Sequence, residues 1–426
     1  MRVLMFGWEF PPHITGGLGT ACYGLVKALA KQKVNIIFVV PRLFGGEDHK
    51  SAYLVNASDV EINERNFNYG EYWQNVKYYE IGSSLIPYVS EEDFLRLIGE
   101  QNNVSTYFDE KVFRAKYQFS GKYGNNLFAE VSRYALIGSV LAKEHPHDVI
   151  HAHDWLTYPA GMAAKKISNK PLIIHVHATE FDRSGDNINQ YVYDMERKGM
   201  EAADKIITVS NLTRKYVIER YGIPADKVVT VHNAVETINT DEIQQTKGFP
   251  EKLVTFLGRV TFQKGPDYFV EAAYKVHKKD PHIRFVMAGS GDMLNRMIKQ
   301  VAHYQMGHKF QFAGFLKGED VYRLFNVSDV YVMPSVSEPF GISPLEAMRS
   351  NVPVIISKQS GVSEVLKYAY KVDFWDVDAL ADAIYGFTHY EGLPKMFKKY
   401  GREEVDNLKW ENSAQKIIQL YQSLIK

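Results

Sequence analysis

The sequence predicts an α/β protein built from two doubly wound, parallel-sheet (Rossmann-like) domains, and three observations carry that prediction. In the first half, short apolar runs such as Val3–Phe6, Val34–Val40, Val149–Ala152 and Leu172–Val176 alternate with amphipathic stretches such as Ala21–Lys31 and Leu127–Lys143. Runs that are apolar on both faces belong in a parallel sheet covered by helices on both sides. After a polar linker at Glu236–Lys247, closed by Gly248-Phe249-Pro250, the alternation starts again, with Leu253–Leu257, Arg284–Ala288, Phe310–Phe312, Val330–Met333 and Val354–Ile356 as strands. Finally, a glycine-bearing or cationic loop follows the first strand of each half, which is where open α/β sheets bind their ligands.

Taken in order, these elements divide the chain into residues 1–240, 250–405 and 406–426. The first domain continues through Lys205–Val209 and Val228–Val231 as further strands. Its rhythm breaks between about 41 and 122, a stretch rich in aromatic residues that reads as an insertion. Such rings serve as core or as platforms for sugar faces, and core is the commoner use. The end of the chain, Asn407–Ile425, spaces Trp410, Ile417, Leu420, Tyr421 and Leu424 as on one helix face. No strand follows it, so this stripe must be buried on its own domain or back across the linker.

Composition narrows the class. The 426 residues are 45% hydrophobic and 23% charged, an ordinary globular balance long enough for two cores. Fifty Lys and Arg balance fifty Asp and Glu, which argues against a nucleic-acid partner reached through a broad basic field. The single cysteine, Cys22, allows no internal disulfide and suits a reducing compartment. The apolar start Val3–Phe6 is too short for a signal sequence, and no run is long enough to span a membrane. A soluble cytoplasmic protein is the expectation.

Four motifs offer chemistry. The loop Thr15-Gly16-Gly17-Leu18-Gly19 lets backbone N–H groups approach a phosphate ahead of a helix. It lacks the G-x-G-x-x-G spacing, and strand two ends in Val39-Val40-Pro41-Arg42 without an acid, which counts against NAD. Arg259-Val260-Thr261-Phe262-Gln263-Lys264-Gly265 places a guanidinium fork and an ammonium after the first strand of the second domain, a pairing suited to a diphosphate. In Glu338-Pro339-Phe340-Gly341-Ile342-Ser343-Pro344-Leu345-Glu346, Ser343 reads as an N-cap, Pro344 as the first helical residue and Glu346 as the third, a capping box with free N–H groups. Last, His151-Ala152-His153-Asp154-Trp155 and Ile174-His175-Val176-His177-Ala178-Thr179-Glu180 end neighbouring strands. Alternation puts each histidine pair on one face. One histidine of each pair reads as a core residue bonded to backbone, the other as a donor to a sugar hydroxyl. Their spacing fits no standard zinc pattern, so no metal is expected. Asp376-Val377-Asp378 reads as the start of a helix rather than a metal site.

Together these motifs resemble the retaining glycosyltransferases of the GT-B fold. Arg259 with Lys264-Gly265, Glu338 and Glu346 in a Glu-x7-Glu frame, His153-Asp154-Trp155, the Gly-Gly loop and Val231-His232-Asn233 carry the resemblance. It is most similar to glycogen and starch synthases and runs from Met1 to about Tyr385. It implies two domains facing across a cleft, an acceptor-side first domain, a nucleotide-sugar-binding second domain, and a last helix crossing back to the first. It further implies that Arg259 and Lys264 bind the pyrophosphate and that Glu338 contacts the transferred sugar. Glu346 would hold the ribose, His153 and His177 would meet the sugar near its 6-hydroxyl or the reacting carbon, and Gly16, Gly17, Gly341, Ile342 and Ser343 would line the donor site. Ile14 replaces the lysine found in bacterial glycogen synthases, and Glu346 is an acid those enzymes often lack. Both features are shared with the broader sucrose, trehalose and lipopolysaccharide transferases, so UDP-glucose stands beside ADP-glucose as donor.

The expected function is retaining transfer of a hexosyl group, glucose first, from a nucleotide diphosphate sugar to a saccharide, an α-1,4-glucan first, without cofactor or metal. Preorganised cations at the departing phosphate supply the catalysis, and domain closure excludes water. Rival readings are transfer to another saccharide or lipid acceptor, a sugar-nucleotide epimerase, and a non-catalytic sugar-nucleotide sensor.

Overall fold

The computed structural model describes residues 1–12, 16–63, 114–124, 126–236 and 245–425. Most of the aromatic insertion (Tyr69, Tyr72, Trp73, Tyr78, Tyr79, Tyr88, Phe94, Tyr107, Phe108 and Phe113) lies outside these residues, as do Ile14 and Thr15 of the glycine loop and 237–244 of the linker. Of its described rings, Phe119 is buried in the first domain's core, Tyr117 packs at that core's edge, and Phe44 and Tyr53 are exposed.

The first half forms a seven-stranded parallel sheet in the order β3-β2-β1-β6-β7-β8-β9. The strands are β1 (Arg2–Phe6), β2 (Asn35–Val40), β3 (Tyr53–Asn56), β6 (Val149–His153), β7 (Leu172–Val176), β8 (Lys205–Thr208) and β9 (Val228–Thr230). β4 (Glu61–Asn63) and β5 (Arg114–Lys116) pair antiparallel at the base of the insertion. The second half forms a six-stranded parallel sheet, β12-β11-β10-β13-β14-β15. Its strands are β10 (Leu253–Leu257), β11 (Arg284–Ala288), β12 (Phe310–Gly314), β13 (Val330–Met333), β14 (Val354–Ser357) and β15 (Tyr370–Val372). In both sheets chain order reverses beside the first strand. The crevice at the strands' C-terminal ends there is the ligand position of such folds.

Strand alternation divides each sheet's side chains between two cores. Leu4 and Phe6 of β1 enter one cluster with the helices Leu127–Glu144 and Tyr158–Ser168. Val3 and Met5 enter the other, with the helix Gly17–Lys31. The last helix, Trp410–Leu424, joins that second cluster through Trp410, Ala414, Ile417 and Tyr421. It lies along Gly17–Lys31, where Gly24 leaves room for the indole: a Cβ there would sit 2.3 Å from Trp410 Nε1. Burying Trp410, Ile417 and Tyr421 stabilises this docking by roughly 1.5–3 kcal/mol per side chain. Lys31 adds an exposed ion pair to Glu411 at 2.8 Å, which contributes little.

Across the junction, Ile342 packs against cores of both halves. Glu364 of the second accepts bonds from the N–H groups of Asn211 and Leu212 of the first at 2.9 and 2.8 Å. No helix among the described residues is long and apolar enough to cross a membrane.

Candidate active site

Two loops at the C-terminal edge of the second sheet carry its charged candidates. After β10 the chain passes Arg259 and makes a short 3-10 turn, Phe262–Lys264. It then reverses at Gly265, whose φ of 61° is left-handed, into the helix Pro266–Lys279. After β13 comes the loop 334–341. Gln263 O accepts the Val336 N–H at 2.9 Å, which locks the two loops together. Gly265 completes the fit, because a Cβ there would meet Pro334 O at 2.2 Å. The result brings the Lys264 ammonium onto the Glu338 carboxylate as an ion pair. Glu338 also accepts from Ser335 Oγ at 3.3 Å, and its backbone is held between Gln359 and Gly361. Arg259 Nη2 donates to the buried Gln263 side chain at 3.0 Å, beside this pair.

Gly341, at φ 98°, turns the chain behind Glu338; a Cβ there would come within 3.1 Å of Glu338 Cγ. That turn starts the following helix at Ser343, one residue before the sequence reading placed it. Ile342 is the cap and no side chain caps the N–H groups, so the expected capping box is absent. Glu346 is freed from a capping role. Loss of hydration raises its carboxyl from the ordinary 4.5 to about 7.

Facing these loops, β6 and β7 lift four histidines onto one face of the first sheet. His153 Nδ1 lies 2.9 Å from His177 Nε2, and the two form the upper pair. Below them, His151 and His175 bond each other at 3.2 Å. The sequence reading gave the deeper histidines to the backbone, whereas the partners found for their ring nitrogens are side chains, each other and Tyr421 on the last helix. Burial pushes His151 and His177 down to about 3, with the neighbouring His177 adding to the effect at His151. His153 and His175 are likewise held far below the usual range, by burial first and by the other rings second. The ladder is therefore neutral at physiological pH. His153 Nε2 is buried and has no hydrogen-bond partner among the described residues. His175 Nε2, deeper in the ladder, is likewise buried without a partner among the described residues, so His153 Nε2, in the upper pair, is one of two ring nitrogens here that call for a donor or acceptor from outside.

Asp154 shapes the tip of this ladder. Its backbone is left-handed, φ 59°, and its carboxylate accepts from the N–H groups of His177 at 2.7 Å and Ala178 at 3.3 Å. Burial raises it to about 6, against the opposing pull of Arg183 and of those two N–H groups. Three residues beyond Thr179, Asp182 closes the short helix Glu180–Ser184 in a capping box and accepts from Ser337 Oγ at 2.6 Å. Ser337 precedes Glu338, so this bond ties the histidine loop to the carboxylate loop across the cleft. Gly16 caps the first helix and Gly17 begins it; no described atom lies within 4 Å of where either would carry a Cβ.

Sequence reasoning gave no site role to five residues: Asp154, Asp182 and its partner Ser337, Tyr421 and Cys22. Asp154 had a signal, an acid ending His-x-His at a strand tip. The others become neighbours only through the fold. Cys22, His153 and His177 offer metal-ligating atoms within 4.8 Å of one another, as do His151, His153 and His175. Most of those nitrogens already bond each other, and burial holds the Cys22 thiol protonated. Asp376 caps the helix Val377–His389 by accepting from Ala379 N at 2.9 Å, and Asp378 pairs with Lys275.

Residues 2–231 match the starch synthase catalytic domain family, and residues 239–404 match the glycosyl transferases group 1 family. An uncharacterized glycosyltransferase of Methanocaldococcus jannaschii is 28% identical, with 99% of this chain and 98% of that one covered. The glycogen synthase of Mycobacterium tuberculosis is 23% identical over 86% of this chain and 80% of its own. Among solved structures, the sucrose-phosphate synthase of Thermosynechococcus elongatus superimposes with a TM-score of 0.72 at 18% identity, covering 99% and 98% of the chains. The catalytic domain of starch synthase IV from Arabidopsis thaliana, bound to ADP and acarbose, gives 0.67 at 14% identity, covering 100% and 99%. The HepE protein of Anabaena with UDP-glucose gives 0.66 at 15% identity, covering 100% of each. These likenesses establish the GT-B fold.

Proposed function

We propose, given that this chain belongs to the starch synthase catalytic domain family and is a GT-B glycosyltransferase, that it moves a glucosyl group from UDP- or ADP-glucose to an α-1,4-glucan with retention of anomeric configuration. The observation that carries the reading is the Lys264–Glu338 ion pair, with Arg259 beside it, held opposite a neutral histidine whose Nε2 has no described partner.

The residues divide the work as follows. Arg259 and Lys264 take the diphosphate, whose charge draws Lys264 away from Glu338. Glu338 is then left to accept hydroxyls of the transferred sugar. As the bond from the anomeric carbon to the phosphate oxygen breaks, negative charge grows on that oxygen. The two cations, fixed by locked loops, stabilise it without reorganising. His153, neutral at working pH, bonds the sugar through Nε2, and His177 orients His153 from the other nitrogen. Glu346 bonds the ribose. Gly16 and Gly17 leave the first domain's backbone open towards the phosphates, and Gly341, Ile342 and Ser343 line the donor beside Glu338. The acceptor hydroxyl attacks from the face the nucleotide leaves, and its proton passes to the departing phosphate oxygen. None of these steps calls for a metal or cofactor. A cytoplasmic location belongs to the same reading and is supported by the single cysteine, which suits a reducing compartment.

The test is nucleotide diphosphate release from UDP-glucose and from ADP-glucose, each with and without glycogen, in the wild-type chain and in Lys264→Ala. Glycogen-dependent release from one donor, lost in the variant, is the expected result and identifies the base. Tight nucleotide binding without release from either donor would sink the glucan reading. It would turn attention to another saccharide or lipid acceptor, or to a sensor, while epimer formed from donor alone would indicate an epimerase.

A further inference from the structure

The histidine ladder does not end in the cleft. Its lower rung is bonded to the last helix of the chain: Tyr421 Oη lies 2.5 Å from His151 Nδ1, across 270 residues of sequence. Tyr421 is fully buried, and its burial pushes the phenol above its ordinary range, so it stays a hydroxyl with one proton to give. Donation to His151 Nδ1 leaves His151 protonated on Nε2. His151 Nε2–H then points at His175 Nδ1, 3.2 Å away, and makes that atom the acceptor. His175 in turn carries its proton on Nε2, a buried nitrogen with no partner among the described residues. One hydroxyl therefore selects the tautomer of two buried rings.

Those two rings are the floor of the upper pair. His151 stacks on His153 with centroids 4.4 Å apart and planes within 16°, and His175 stacks on His177 at 4.3 Å and 24°. The upper rings are fixed sideways by their own bond, but from below by these stacks.

We propose that Tyr421 is a positioning residue for the transfer reaction: its hydroxyl sets the tautomer and ring orientation of the His151–His175 pair on which His153 and His177 rest. Without it, His151 Nδ1 becomes a buried acceptor with no donor, and the ring must flip, exchange its tautomer or admit water. Each outcome disturbs the surface beneath His153. The last helix is thus part of the site's support as well as of the first domain's core. Only the kinetic arm of the test rests on the transferase reading above; the tautomer arm does not.

The experiment uses the full chain and compares the wild type with Tyr421→Phe, which keeps the ring, and with Ile417→Val, which trims the same buried helix face and leaves the hydroxyl. Nitrogen NMR of the imidazoles is expected to show His151 and His175 both protonated on Nε2 in the wild type. In Tyr421→Phe their signals shift, kcat falls on the order of tenfold and the donor KM changes little, as when an orienting partner behind a working ring is removed. Ile417→Val is expected to lower the melting temperature with kcat unchanged. A wild type in which His151 carries its proton on Nδ1 overturns the proposal by itself, whether or not the variants fold. So does Tyr421→Phe with unchanged imidazole signals, or a kcat loss shared equally by Ile417→Val. Loss of all release in the wild type would count against the transferase reading, and the tautomers would still decide this one.

Discussion

Lys264 and Glu338 hold each other in a largely dehydrated pocket, which makes each residue's removal two experiments in one. Lys264→Ala removes a cation aimed at the departing phosphate, and loss of one such preorganised group lowers kcat by roughly 10²–10³-fold. It also leaves a mostly buried carboxylate without its partner, a loss of about 3 kcal/mol or more. Adding Glu338→Gln to Lys264→Ala should return much of the lost melting temperature and none of the nucleotide release. Recovery of release with stability would show that the lysine acts only as a structural counter-ion. Glu346 gives a prediction in pH. Its folded carboxyl, raised to about 7, keeps its proton where the unfolded chain, near 4.5, has released it. Between those values the unfolded state binds fewer protons, so this group's contribution to stability falls as pH climbs. Glu346→Gln cannot ionise. The melting temperature of the variant relative to the wild type, without nucleotide, should rise between pH 5 and pH 8. A difference that stays flat would show Glu346 to be hydrated in the free protein.

At the scale of elements, Gly265 decides whether the cationic loop can exist. It combines a left-handed φ of 61° with contact against Pro334 O, so Gly265→Ala strains the backbone and clashes with the neighbouring loop at once. Each effect alone is of order 1–3 kcal/mol. Because Gln263 and Gly265 seat Lys264 against Glu338, nucleotide affinity should weaken along with stability. Calorimetric binding of UDP or ADP at wild-type strength to Gly265→Ala would separate the loop's fold from its function. These elements also show what the sequence discloses. Lys264-Gly265 after an apolar strand is legible, because a strand's end and a left-handed glycine both leave local marks. The strands of both sheets were legible as apolar runs, except β3 and β15, whose exposed edge residues Tyr53 and Tyr370 blur the pattern. The cap at Ser343 was misread by one residue because Gly341 turns the chain early, a backbone choice that capping statistics do not register. Tyr421 was legible only as one apolar position on a helix. Its hydroxyl matters through a contact set by the docking of that helix, and no local pattern encodes it.

For the whole molecule, the issue is what holds two separately cored domains at the spacing the chemistry needs. Three bonds cross the junction at Glu364, from Asn211 N, Leu212 N and His232 Nε2 at 2.9 Å, so a carboxylate of one domain satisfies the N-terminus of a helix in the other. Burial alone would raise this carboxyl, but His232 and the two N–H groups hold it below its ordinary value. At the cleft, Asp182 and Ser337 make a second, smaller tie. The bonds of the Glu364 carboxylate run to the first domain and not to the ion pair, so Glu364→Ala should leave the two cores intact and loosen their attachment. Hydrogen bonds to a charged group contribute about 1.5–3 kcal/mol each at most, and this site is partly hydrated, so a few kcal/mol in total is expected. Unfolding should then separate from one transition into two, one for each sheet. The donor KM should rise more than kcat falls, because closing the domains would draw on binding energy. A single transition with a lower midpoint would mean that the last helix, packed into the first core, suffices to couple the domains. The complementary variant, Trp410→Ala, should then be the one that splits the transition.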